Sequence, residues 1–165
     1  MNWPNRTIQG VSYDLRHLHP FTFDVTPQAQ GAPTYRVRVT FGLHTFAREW
    51  RETDTSDFRV VDGTDLRCFC VDRHRLSLNL PAMITGSAKA HFSQQHAYLV
   101  FRNVPECQGP YVAFFTMQRA TTRGIDAVMS VVSAYEKPNL PTRLPSIGFA
   151  TLVAKTAKGE QIRRP

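Results

Sequence analysis

The ten residues "YRVRVTFGLH", Tyr35 to His44, constrain this chain most. Tyr35, Val37, Val39, Phe41 and Leu43 fall on one side, while Arg36, Arg38, Thr40 and His44 fall on the other. Period two sends successive side chains to opposite faces of an extended strand. A chain carrying this segment has to build a sheet and cover its apolar face. The uncovered face is then basic, and two arginines and a histidine on it are the first sign of function.

The remaining segments are read against that strand. "YDLRHLHP" is a single turn ending before Pro20, and "FTFDVT" is a strand; "QAQGAP" is a loop. "FRVVDGTDLRCFCVDRH" makes two short strands around Asp62-Gly63, a tight-turn pair. "RLSLNLPAMITGSAKA" is expected to form the main helix, capped by Ser77 or Asn79 with Pro81 in its first turn and Gly86 near its end. Four strands are expected in the C-terminal half, in "HAYLVFRNV", "GPYVAFFTMQRA", "DAVMSVVSAYE" and "GFATLVAKTAK". The expected architecture is α+β, an antiparallel β-sheet meander with one main helix packed on one face, as a single domain over residues 1–165.

Charge narrows the partners. Lys and Arg number 20 against 13 Asp and Glu, a net charge of +7. That excess attracts anions at long range and points to nucleic acid, RNA ahead of DNA. Ordinary basic surface kept for solubility is the other reading, since no basic run exceeds "RR". No apolar run approaches the roughly 20 residues of a membrane helix, and "MNWPNRTIQG" has no apolar signal core. A cytoplasmic location without a membrane partner is the default expectation. Three cysteines, an odd number, fit reduced thiols in a reducing compartment.

Three constellations carry candidate chemistry. In "HTFARE", His44 is a candidate acid or base and Arg48 a candidate phosphate binder, or else His44 simply ends a surface strand. In "CFCVDRHR", Cys68, Cys70 and His74 have none of the common zinc spacings, and the two cysteines share a strand face as small buried hydrophobes do. Neither a metal nor another cofactor is expected. Arg73, His74 and Arg75 stand just before the expected helix start, where they would form a phosphate pocket or merely a solvated loop. In the third, alternation puts Met129, Val131, Ser133 and Tyr135 on one side of a strand, and Phe149, Thr151, Val153 and Lys155 on one side of the next. Paired antiparallel, they would bring Tyr135 toward Thr151 or Lys155. RNA cleavage without a metal needs a base for the 2′-hydroxyl, a proton donor for the leaving oxygen and cations for the phosphorane. His44, Tyr135, Lys155 and Arg48 would supply them; Tyr135 could instead stack a base.

"YDLRHLHPFTF", "RCFCVDRHRLSLNLP", "VVSAYEKPNLP" and "FATLVAKTAKGEQIRRP" together resemble a family of short proteins from plasmids and integrated elements of proteobacteria. Its members often carry the label "stationary phase growth adaptation protein". The resemblance implies a mobile-element context and assigns no catalytic residue. The strand ending in "SAY", the proline-containing loop after it, and a last segment with Thr and Lys are more remotely similar to endoribonucleases of the barnase–EndoU–colicin–RelE type. That likeness implies a sheet-borne site, here His44, Tyr135, Thr151 and Lys155, although His44 lies upstream of the expected helix. The resulting expectation is a metal-independent endoribonuclease-like domain, a toxin or defence effector. In it Arg48, Arg73, Arg75 and Thr151 bind phosphate, and Arg36 and Arg38 form a nucleic-acid face. Two alternatives stand beside it: a non-catalytic nucleic-acid-binding or regulatory module, and a protein-interaction subunit with a partner such as an antitoxin.

Overall fold

A computed structural model describes residues 1–93, 95–141 and 143–162. The chain begins with the small hairpin β1 (Arg6–Ile8) and β2 (Val11–Tyr13), then β3 (Phe21–Val25), β4 (Tyr35–His44), β5 (Ala47–Glu49), β6 (Arg59–Asp62) and β7 (Asp65–Phe69). Two short helices follow, α1 (Val71–Ser77) and α2 (Leu80–Thr85). The C-terminal half holds β8 (Lys89–Phe92), β9 (Ala97–Phe101), β10 (Tyr111–Arg119), β11 (Ala127–Glu136), β12 (Ser146–Gly148) and α3 (Phe149–Lys158).

The fold is α+β. Its main sheet has seven strands in the order β12-β8-β9-β10-β11-β4-β3, and a smaller one has the order β5-β7-β6. The main sheet is mixed: every pairing in it is antiparallel except β11 with β4, which run parallel. The meander expected from sequence is therefore interrupted at its centre, where two segments far apart in the chain meet side by side. β4 keeps its alternation, with Tyr35, Val37, Val39, Phe41 and Leu43 all buried. The N-terminal segment locks onto this strand, since buried Trp3 Nε1–H donates to the Phe41 carbonyl at 2.9 Å and its ring packs edge-on against Phe46.

The helices differ from expectation. "RLSLNLPAMITGSAKA" is not one long helix: α1 starts earlier, at Val71, α2 ends at Thr85, and Lys89 already belongs to β8. The longest helix is α3, over a segment that strand alternation also fits. Phe149, Leu152, Val153 and Thr156 recur at helical spacing and are all buried, and Gly159 ends the helix at φ 72°, a left-handed cap that favours glycine. Phe149 packs on Phe23 and Phe115, placing α3 on the sheet face that carries Phe23, Val37, Met129 and Phe115. Each fully buried apolar side chain of this kind stabilises the fold by roughly 1.5–3 kcal/mol.

A register shift in β11 governs the opposite face. Val131 pairs with Phe115 and Phe41, but the next paired residue is Ser133, opposite Phe114 and His44; Val132 is bulged out. The extra residue flips all that follows it. Ser133 and Tyr135 thus leave the side of Met129 and Val131 and join Phe114 on the face away from α3, against simple alternation.

Candidate functional site

The flipped end of β11 meets the end of β4. His44 is the last residue of β4 and Ser133 is its partner in the parallel ladder. The His44 ring Nε2 lies 2.6 Å from Asp65 Oδ2, at the start of β7, and Arg67 Nε donates to the other carboxylate oxygen at 2.7 Å. Asp65 and Arg67 share one face of β7, two residues apart, so a single short strand supplies both. Hydrogen bonds from His44, then from Arg67, hold the Asp65 carboxyl below its ordinary range. Since an ionised carboxylate only accepts, the proton shared with it sits on Nε2, and in the neutral tautomer of the ring Nδ1 is the nitrogen that carries the lone pair.

Arg73 ties this dyad to β11. It stands in the first turn of α1, and its Nη1 donates to the carbonyls of His44 at 3.0 Å and Ala47 at 2.7 Å. Its guanidinium lies 5.1 Å from the centroid of the Tyr135 ring, a cation–π contact. Burial pulls the Arg73 pKa below its ordinary value. Among the described residues no carboxylate pairs with it. A half-buried cation met only by dipoles and a ring retains most of its pull on an anion.

The sequence-derived candidates divide accordingly. His44, Arg73 and Tyr135 come together. Thr151 and Lys155 do not join them: they lie on α3, on the far side of the sheet, where Lys155 pairs with Glu160 at 3.2 Å. The expected ladder contact from Tyr135 to these two is corrected by the fold, because their segment is a helix and β11 pairs with β10 and β4. Arg48 forms a two-pronged ion pair with the largely buried Asp54, at 2.5 and 2.8 Å. Arg73, His74 and Arg75 diverge inside α1 and do not line one pocket. His74 Nε2 bonds the Asp14 carbonyl at 2.8 Å, and Arg75 pairs with Asp72 and Glu106. Arg36 forks onto Asp24, whereas Arg38 is exposed on the same face with no ion pair among the described residues. Cys68 is buried and donates to the Phe69 carbonyl, and among the described residues no three His, Cys, Asp or Glu side chains are grouped to hold a metal ion. Asp65 and Arg67 were missed at the sequence level; the available signal was "DLR" leading into the strand opposite "HTFARE".

A family model described as the YjaZ family matches residues 5–157. The chain belongs to the YjaZ family. The match takes in every residue of the His44–Asp65–Arg67–Arg73–Tyr135 cluster. No curated protein and no solved structure matches the chain. YjaZ membership by itself names no reaction, so function has to be argued from the cluster. No helix among the described residues is long and apolar enough to cross a membrane.

Proposed function

We propose that this protein cleaves RNA without a metal ion, at the cluster formed by His44, Asp65, Arg73 and Tyr135. One observation carries the reading: the Arg73 guanidinium, unpaired by any described carboxylate, touches both the His44 backbone and the Tyr135 ring. This puts a base, a cation and a phenol at one end of the sheet face away from α3. A net charge of +7 favours a polyanionic substrate. The likeness to mobile-element proteins and to barnase–EndoU–colicin–RelE-type nucleases supports the same reading, with a toxin or defence effector acting in the cytoplasm and held in check by an antitoxin.

In this mechanism Asp65 accepts a hydrogen bond from Nε2–H and fixes the imidazole, and Nδ1 takes the proton of a 2′-hydroxyl. The freed 2′-oxygen bonds to phosphorus as the bond from phosphorus to the 5′-oxygen breaks, giving a 2′,3′-cyclic phosphate. The Tyr135 hydroxyl hands its proton to the departing 5′-oxygen and recovers one from the imidazolium. Arg73 balances the charge that builds on the equatorial oxygens. Arg67 holds Asp65 ionised throughout.

The test is digestion of labelled total RNA and of one structured RNA in EDTA, beside His44→Ala and Tyr135→Phe. Cleavage that persists in the chelator, ends in cyclic phosphate and disappears in His44→Ala is the expected result. Salt-sensitive RNA binding without cleavage, retained by both variants, would replace the catalytic reading with that of a binding module on Arg38 and its neighbours.

A further inference from the structure

A row of rings crosses the face away from α3, from the cluster to the other side of the sheet. Tyr135 stacks on Phe114 at 5.5 Å, Phe114 contacts Tyr98 at 5.4 Å, and Tyr98 contacts His91 at 5.5 Å. The register makes this row, since Phe114 pairs with Tyr98 and Tyr98 with His91. Tyr98 is 6% exposed. The inner rings therefore spend their faces on one another, as cross-strand aromatic pairs do to stabilise a sheet. Only the ends are free for other work. Arg73 occupies one of them.

At the other end, His91 opens into a cleft of about 540 Å³ whose lining includes Lys89, Arg102, Ser87 and Ser146. No aspartate or glutamate lines it among the described residues, and neither Lys89 nor Arg102 forms an ion pair there. His91 Nδ1 lies 3.2 Å from the Pro145 carbonyl, which can only accept, so that nitrogen carries a proton and Nε2 is left for the cleft. Ser87 Oγ already donates to the Met83 carbonyl at 2.9 Å, so two unpaired cations, the Ser146 hydroxyl and the outer face of the His91 ring are the groups that can hold a phosphate and an unstacked base.

We propose that this cleft is a second subsite for single-stranded RNA. Lys89 and Arg102 bind a backbone phosphate, and the His91 ring, on the face away from Tyr98, stacks a base. The inference rests on the reading of the Arg73 end as an RNA site and names its substrate class. The two ends are three strand spacings apart, roughly 14 Å, which one nucleotide cannot bridge and a short single strand can. A duplex keeps its bases inside and offers none to His91.

The experiment measures binding of labelled 2′-O-methyl oligouridylates, which have no free 2′-hydroxyl to attack, by fluorescence anisotropy. Oligomers of increasing length, a hairpin duplex, uridine monophosphate and inorganic phosphate are compared on wild type, Lys89→Ala/Arg102→Ala and His91→Ala. The double variant should bind the longer oligomers about tenfold more weakly and with a shallower salt dependence. His91→Ala should lose affinity for the same oligomers and keep its phosphate dependence. Unchanged affinity of the double variant for long oligomers would overturn the proposal. So would equal binding of the duplex, or free phosphate competing as well as the oligomer does. Lys89-dependent binding without cleavage of ordinary RNA removes the catalytic reading alone. Cleavage with no dependence on Lys89, Arg102 or oligomer length removes the second subsite alone.

Discussion

A Cβ placed on Gly42 would lie 3.2 Å from the carbonyl oxygen of Val132 and 3.3 Å from that of Val131. The glycine in "TFGLH" is therefore where β4 admits the bulge of β11. That bulge turns Tyr135 toward Arg73. Gly42→Ala should push two backbone carbonyls away and lower stability by about 1 kcal/mol, with Gly42→Val worse. Urea denaturation of the two variants checks this, and unchanged midpoints would mean that the bulge yields freely.

Removing the Arg73 side chain leaves the carbonyls of His44 and Ala47 without their donor. Arg73→Ala should cost roughly 2 kcal/mol of stability and abolish RNA cleavage. Arg73→Lys should recover part of the stability and little of the activity, because an ammonium does not present the planar fork. Thermal melts read beside cleavage rates separate the two effects.

Asp65→Asn tests the dyad from its anionic side. The pair is partly exposed, with side chains 33% and 39% accessible for His44 and Asp65, so its net effect on folding should stay within about 1 kcal/mol. Cleavage should fall by about a hundredfold or more, because the imidazole loses both its fixed tautomer and its counter-charge. Equal losses of stability and activity would make Asp65 a structural residue.

His17 predicts a pH dependence of folding. Burial first, then the nearby His74, pushes its pKa down to about 4, while its Nε2 lies 2.8 Å from Ser77 Oγ. Between pH 6.5 and 4 the unfolded chain takes up a proton that the folded chain refuses, so stability should fall as pH drops through that window. His17 is partly exposed, and after allowing for solvent screening the effect is on the order of 1–2 kcal/mol. Carboxylates held low by arginines, such as Asp14 at about 2 beside Arg16, contribute stability that is lost only at lower pH. His17→Gln should flatten the slope of denaturation midpoint against pH between 4 and 6.5.

Arg48 separates structure from binding. Its fork on Asp54 leaves no free edge for phosphate of the kind Arg73 offers. Arg48→Ala should destabilise by about 1–3 kcal/mol, since Asp54 is left largely buried and unpaired. Arg48→Ala/Asp54→Ala should recover much of that loss, and neither variant should change the salt dependence of RNA binding.

The alternation of β4 was legible because a half-buried strand writes its two faces directly into the order of residues. The Asp62-Gly63 hairpin was legible for an equally local reason. Residues Phe149 to Lys155 were not, because Phe149 and Val153 satisfy both period two and period 3.6, and only Leu152, Thr156 and the Gly159 cap separate the two. His44 and Tyr135 could be picked out by residue type and strand position. Their junction through Arg73 could not, since it depends on a one-residue bulge and on a parallel pairing that no local pattern specifies. Lys155 and Thr151 were drawn into the site by the same misread period.

The parallel pairing of β4 with β11 joins residues such as Thr40 and Ser130, ninety positions apart. During synthesis, the ribosome therefore releases His44, Asp65 and Arg73 well before Ser133 and Tyr135 exist. No stretch of the nascent chain up to β10 holds both halves of the face, so the cluster assembles only after β11 has been translated and has inserted beside a strand made long before.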